Sequence, residues 1–181
     1  MMNWYKRYKA DMPKDFKQIC EDYTKKYSPE PAYRYKSVED SSMWTIPPLG
    51  ENRVRLDVPE STQINHVIKY VSNVTELNLE HDMPFTCIWR FDDNFKKCPV
   101  HVDNGGEHTG SVVTCISGKF KLHLHEQEDN DSDIIETIDI DETTLIALNN
   151  TKFPHSVEGK GDLVVFGPDK KIKPEEYFAD E

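Results

Sequence analysis

Cys98-Pro99-Val100-His101-Val102-Asp103, followed much later by Leu148-Asn149-Asn150-Thr151-Lys152-Phe153-Pro154-His155-Ser156-Val157, is the part of the chain that decides the reading. His101 and Asp103 are two apart. On an extended strand, alternate residues point to the same face, so their side chains lie together. His155 comes after a turn-rich segment and just before a β pair, late in the same set of strands. Residues from two separate strands can then meet in the mouth of one rolled sheet.

Two imidazoles and one carboxylate on one side of an iron(II) leave its other positions open for a co-substrate and oxygen. His101, Asp103 and His155 are therefore the candidate metal ligands. A His-x-acid pair alone carries little weight, since 7 histidines among 33 acidic residues produce one by accident. Placement on strands that can converge is what raises it.

Strand patterns surround these residues. Phe85 to Phe91 is aromatic and β-branched, a composition that suits a pleated surface. Ser111 to Ile116 and Lys119 to His125 flank Ser117-Gly118, a two-residue hairpin signal. Ile134 to Ile140, Thr143 to Leu148, Ser156-Val157 and Leu163 to Phe166 continue the series, with Gly159 and Gly161 expected to form the last turn. Val74 to Leu79 alternates and reads as a further strand. Glu126 to Asp133 is acidic but lacks the residue order of an EF-hand, so it reads as a solvated loop.

The front of the chain is different. Residues 11–27 predict a helix capped by Asp11, with Phe16, Ile19, Cys20, Tyr23 and Tyr27 on one face. A second helix starts at Ser61 or Thr62 and buries Ile64, Val67, Ile68 and Val71, with His66 beside that face. Residues 28–50, rich in Pro and Tyr, read as extended chain over the surface, and Arg53 to Val58 as an edge strand. Front additions of this kind shape the mouth of a barrel, and Tyr35, Trp44 and Trp89 are candidates to line it, although buried core suits Trp89 better.

The fold class expected is mainly β with N-terminal helices: a double-stranded β-helix, or jelly-roll/cupin-like barrel. The organisation is one domain: 1–72 helices and extended segment packing on the barrel, 73–167 barrel core, 168–181 a charged tail expected to fray.

Composition narrows the partners. The net charge of −11 repels a phosphate backbone, so nucleic acid is disfavoured. The chain shows no apolar run of membrane-spanning length and no secretory signal, and a cytoplasmic location is expected. Cys20, Cys87, Cys98 and Cys115 lack Cys-x-x-Cys spacing and read as reduced, buried thiols.

The region of about residues 85–167 resembles the 2-oxoglutarate- and iron(II)-dependent dioxygenases. Cys98 to Asp103 is similar to their His-x-Asp/Glu motif; Leu145 to Thr151 and then Pro154 to Val157 are similar to the segment with their distal histidine. The likeness is strongest to aspartyl/asparaginyl β-hydroxylase-like members and to small oxygenase-like proteins of phages.

The resemblance implies that iron(II) is held by His101, Asp103 and His155, that 2-oxoglutarate is co-substrate, and that a protein or small molecule is hydroxylated. Asn149 or Thr151 would orient a ligand. The chain departs from the family on its last strand, where Asp162 to Phe166 carries no base for the distal carboxylate of 2-oxoglutarate. Lys121 and Arg90 are the candidates to supply it, although Lys121 also fits a plain solvent-facing strand position. Two alternatives stay open: a cupin-like set of His123, His125, Glu128 and His155, and a barrel that has lost 2-oxoglutarate and serves only to bind.

Overall fold

A computed structural model describes residues 4–30, 41–47, 57–77, 79, 85–103, 111–167 and 174–179. Its elements in chain order are β1 (Tyr5–Lys9), α1 (Phe16–Lys26), β2 (Ser42–Ile46), α2 (Pro59–Gln63), α3 (Asn65–Thr75), β3 (Phe85–Phe91), β4 (Ser111–Cys115), β5 (Lys119–His125), β6 (Ile134–Ile140), β7 (Thr144–Leu148), β8 (His155–Gly167) and α4 (Pro174–Tyr177). Among the described residues, every strand pairing is antiparallel.

Alternation sorts the side chains into layers. In the main sheet, ordered β1-β7-β4-β8-β3-β2, Ile88, Val112, Leu145, Ala147, Val164 and Phe166 face the helices. Their neighbours Trp89, Phe91, Val113, Cys115, Ile146, Leu148 and Leu163 face inward, against Phe120, Leu122, Leu124, Ile138 and Ile140 of the smaller sheet formed by β6, β5 and the start of β8. Two apposed sheets with a shared interior, plus helices on one outer face, make a double-stranded β-helix. Strands such as β4 and β7 are buried at every position, and because successive side chains go to opposite faces, one strand serves both apolar layers.

The helical stripe residues behave as their spacing dictates. Phe16, Ile19, Cys20 and Tyr23 of α1 are buried, as are Val67, Ile68 and Val71 of α3 with Ile64 just ahead of it. Each such side chain taken fully out of water contributes about 1.5–3 kcal/mol. The helix boundaries differ from expectation. Asp11 is no cap; α1 starts at Phe16, and its cap residue Asp15 turns its carboxylate to His66 at 2.7 Å. Ser61 lies inside α2, where its hydroxyl donates to the Pro47 carbonyl.

Four expectations from local pattern are corrected. Val74 to Leu79 is not a strand: α3 runs through Thr75 and stops at Glu76, which has a φ of 60°. Val67, Val71 and Thr75 continue the helical stripe, and a short apolar run satisfies either period. Part of residues 28–50 is not surface drape, because β2 pairs along β3 with Trp44 opposite Ile88. Gly159 and Gly161 do not form a turn between two strands. They bend one continuous strand, β8, from its pairing with β5 into its pairing with β3 and β4. A Cβ on Gly161 would stand 2.2 Å from the Ser117 carbonyl oxygen, and one on Gly159 2.4 Å from that of Lys119, so the corner admits only glycine. The tail does not fray throughout: Phe178 is fully buried in the helix-side core, and the Tyr177 hydroxyl donates to the Thr75 carbonyl at 2.8 Å.

Most of the proposed edge strand at Arg53 to Val58, and Tyr35, lie outside the described residues. Among the described residues, no helix is long and apolar enough to cross a membrane.

Candidate metal centre

The first two candidate ligands sit on an extended segment that is not a full strand. It joins β8 through two isolated bridges, Lys97 opposite Glu158 and His101 opposite His155. Cys98 N–H donates to Val157 O at 2.9 Å and Asp103 N–H to Asn150 O at 2.8 Å, so the segment is pinned along its length. His155 is the first residue of β8, and its bridge brings the two imidazoles together with ring centroids 4.4 Å apart.

His101, Asp103 and His155 each offer one ligand atom, and these atoms all lie within 4.8 Å of one another. The orientation of the rings follows from their outer nitrogens. Nδ1 of His101 lies 2.7 Å from Pro99 O, and Nδ1 of His155 lies 2.9 Å from Phe153 O. A carbonyl only accepts, so each Nδ1 carries hydrogen and each Nε2 points to the shared centre. Nε2 of His101 is 3.3 Å from Asp103 Oδ1, and Nε2 of His155 is 4.0 Å from Oδ2. An imidazole whose far nitrogen is fixed by a carbonyl is the arrangement that holds metal-binding histidines in position.

His155 and Asp103 are held in the protonation states that ligands need. Burial, joined by the charge of His101, pushes His155 down to about 4, so it is neutral at ordinary pH. Burial pushes the Asp103 carboxyl up. The His101 hydrogen bond, the two histidine charges and Asn150 together outweigh that and hold it at about 2. The donor set is thus a carboxylate and two outward-braced imidazoles, a set that suits iron(II). Cys98 stands three residues from His101, yet burial pushes its thiol up to about 12, and its sulfur accepts the Val157 N–H.

Asn150 is the residue that sequence reasoning overlooked. Its Nδ2 donates to Asp103 Oδ2 at 2.6 Å while its carbonyl accepts the Asp103 N–H. The expected orienting residues, Asn149 and Thr151, are its neighbours. Asn149 donates its N–H to Trp4 O and caps the following turn through its own carbonyl. Three adjacent polar residues in one turn give no local signal of which one faces the carboxylate.

The two candidate cations are not brought to this centre. Leu124 pairs opposite His155, so Leu122 and Phe120 share its face and Lys121 points from the other. The Lys121 ammonium is exposed and lies 3.0 Å from Asp139. Arg90 is on the helix-facing side of β3, where Nε and Nη2 make a two-pronged contact with Asp162 at 2.9 and 3.0 Å and the guanidinium covers Trp44. Inward-facing positions on β8 beyond the corner carry Leu163 and Val165.

The cupin-like set is not assembled either. His123 and His125 lie on the outer face of β5, bonded to Thr137 and Glu158 and to Ser156 and Ser132 O respectively. Trp44 and Trp89 are both buried, so neither lines an open mouth.

No family model and no curated protein matches this chain. Solved structures do match its fold. A Pseudomonas putida prolyl-4-hydroxylase aligns with a TM-score of 0.53 at 13% identity, covering 91% of each chain. A Trichoplax adhaerens prolyl hydroxylase in complex with a hypoxia inducible factor peptide fragment aligns at 0.52 and 12% identity, covering 99% of this chain and 88% of that one. What is shared is the fold. These neighbours are prolyl hydroxylases rather than the aspartyl/asparaginyl or phage proteins to which the sequence motifs are similar.

Proposed function

We propose that this chain is an iron(II)- and 2-oxoglutarate-dependent oxygenase. The observation that carries it is the convergence of His101 Nε2, His155 Nε2 and an Asp103 oxygen within 4.8 Å, with both Nδ1 hydrogens held by backbone carbonyls. When bound, iron(II) couples decarboxylation of 2-oxoglutarate to hydroxylation of a substrate C–H bond: one oxygen atom of O2 enters succinate and the other the product, with CO2 released. The chain's own contribution is positional. His101 and His155 present fixed lone pairs, Asp103 supplies the negative charge, and Asn150 limits the rotation of its carboxylate.

The substrate class favoured is a peptide segment of a protein, since one fold neighbour holds a peptide; a small molecule is the other candidate. Buried free thiols at Cys20, Cys87, Cys98 and Cys115 fit a reducing cytoplasmic setting.

A second reading has its own support. Lys121 and Arg90 are engaged elsewhere, and Leu163 and Val165 occupy the inner face of the last strand. This favours a barrel that binds metal without 2-oxoglutarate. Anaerobic addition of iron(II) and then 2-oxoglutarate separates the two. A visible charge-transfer band that appears only with both supports the oxygenase; bound iron with no band on adding 2-oxoglutarate supports the metal-binding barrel.

A further inference from the structure

The segment carrying His101 and Asp103 has two edges. One is satisfied by β8 and the turn before it, through Cys98, His101 and Asp103. Along the other edge the N–H groups of Val100 and Val102 point away, where a sheet would place another strand. In its place stands the β5–β6 loop, residues 126–133. Asn130 Oδ1 accepts the Val100 N–H at 2.9 Å, and Glu128 Oε1 accepts the Val102 N–H at 3.4 Å. These residues flank His101 on either side.

The loop is itself held in shape. Glu126 N–H donates to Asp133 O at 3.1 Å, Ser132 N–H to Asp129 O at 2.9 Å and Asp131 N–H to Asp129 Oδ1 at 2.9 Å. Its base is tied to the other ligand strand. His125 N–H donates to Pro154 O, the His125 ring contacts Ser132 O through Nδ1, and Nε2 contacts Ser156 Oγ at 2.8 Å. The loop therefore touches the chain beside both histidine ligands.

We propose that the β5–β6 loop is the outer brace of the metal segment, with Asn130 as a positioning residue that sets the spacing of His101 and Asp103 by accepting the Val100 N–H. This rests on reading His101, Asp103 and His155 as a metal centre. Asn130 acts on the segment through its main chain, at the Val100 N–H. Because that contact uses the side-chain carbonyl oxygen, aspartate can replace it and alanine cannot.

The test uses the full chain and manganese(II), a redox-stable probe, titrated while free ion is followed by paramagnetic resonance. Asn130→Ala is expected to weaken binding about 10-fold, the usual scale for losing a group that orients a ligand. Its metal-free melting temperature should stay close to wild type. Asn130→Asp should restore the affinity. Asp131→Asn, which removes a charge from the same loop but no contact to the segment, should leave it unchanged. Amide exchange at Val100 should quicken in Asn130→Ala alone. Wild-type affinity in Asn130→Ala, or equal weakening in Asp131→Asn, overturns the brace while the metal reading stands. Failure of the wild type to bind manganese(II) overturns both.

Discussion

His101 and His155 hold each other by two main-chain hydrogen bonds, His101 N–H to His155 O at 3.0 Å and His155 N–H to His101 O at 2.9 Å. The spacing of the two imidazoles is therefore set by backbone and not by contacts of the rings themselves. Replacing either ring with alanine leaves these bonds in place. His101→Ala and His155→Ala should each fold and each lose 1:1 iron(II) or manganese(II) binding by at least about 100-fold, the upper scale for disturbing ligand geometry. His123→Ala, on the outer face of β5, should bind as wild type. Titration calorimetry under nitrogen reads all three, and retained binding in His155→Ala is the result that counts against the centre.

The legible parts of this molecule were those whose signal is local. Lys119 to His125 alternates over the whole strand, Ile134 to Ile140 is rich in isoleucine, and the boundaries of both match the structure. His101 and Asp103 stand out by their place among strands that can converge, since the spacing alone arises by accident. β1 was invisible because Tyr5 finds its partner Leu148 at the far end of the chain, and nothing in Tyr5-Lys6-Arg7-Tyr8-Lys9 specifies that pairing. Gly159 and Gly161 read as a turn in the sequence because a glycine that bends a strand and one that ends it look alike without the carbonyls of Ser117 and Lys119 in view. Arg90 and Lys121 were reasonable by charge. Which face of a strand a base occupies, and whether an acid already holds it, emerges only once the strands are paired.

Acid should loosen the metal-free protein through His155. In the unfolded chain a histidine protonates near 6.5, whereas burial holds folded His155 at about 4. Between those values the unfolded state binds more protons, so stability is full above pH 6.5 and falls as pH drops toward 4. The loss approaches roughly 3 kcal/mol at the lower end. Asp103, held at about 2, adds a contribution that is present above pH 3.8 and lost as pH falls toward 2. Denaturant titrations across pH 4–7 should show a steep acid limb in the wild type and a shallower one in His155→Gln. Equal slopes would mean that the burial of His155 is not the cause.

The two cations should separate cleanly from co-substrate binding. Lys121 and Asp139 are exposed, so Lys121→Ala should change stability by less than about 0.5 kcal/mol. Arg90→Ala leaves the buried Asp162 carboxylate without its two-pronged partner and should cost about 1–3 kcal/mol. Neither should alter the 2-oxoglutarate affinity of the iron(II) protein, followed by the charge-transfer band. A several-fold weakening in either variant would place that side chain at the co-substrate after all.

Phe178 closes the helix-side core from the far end of the chain. It is fully buried beside α1 and α3, and Tyr177 ties the same turn to Thr75 O and the Tyr8 hydroxyl. Phe178→Ala removes a large side chain from a packed site and should cost about 3–5 kcal/mol. Chemical denaturation measures this, and a cost under about 1 kcal/mol would mean that the site collapses around the smaller residue.

The corner of β8 yields the sharpest test of the architecture. At Gly161 the backbone has a φ of 130°, and an added Cβ meets the Ser117 carbonyl at 2.2 Å. The obstacle is backbone of the β4–β5 hairpin, which cannot rotate aside as a side chain would. Gly161→Ala must either open the hairpin from β8 or straighten the bend that lets one strand serve both sheets. Strain of this kind costs about 1–3 kcal/mol before the clash is counted. For a chain of this length each kcal/mol lowers the melting temperature by about 2–4 °C. A fall of several degrees or more is therefore expected. Because the bend also aims the start of β8 toward His101, metal affinity in the folded fraction should fall with it. A Gly161→Ala protein as stable as wild type would show that the bend needs no glycine there.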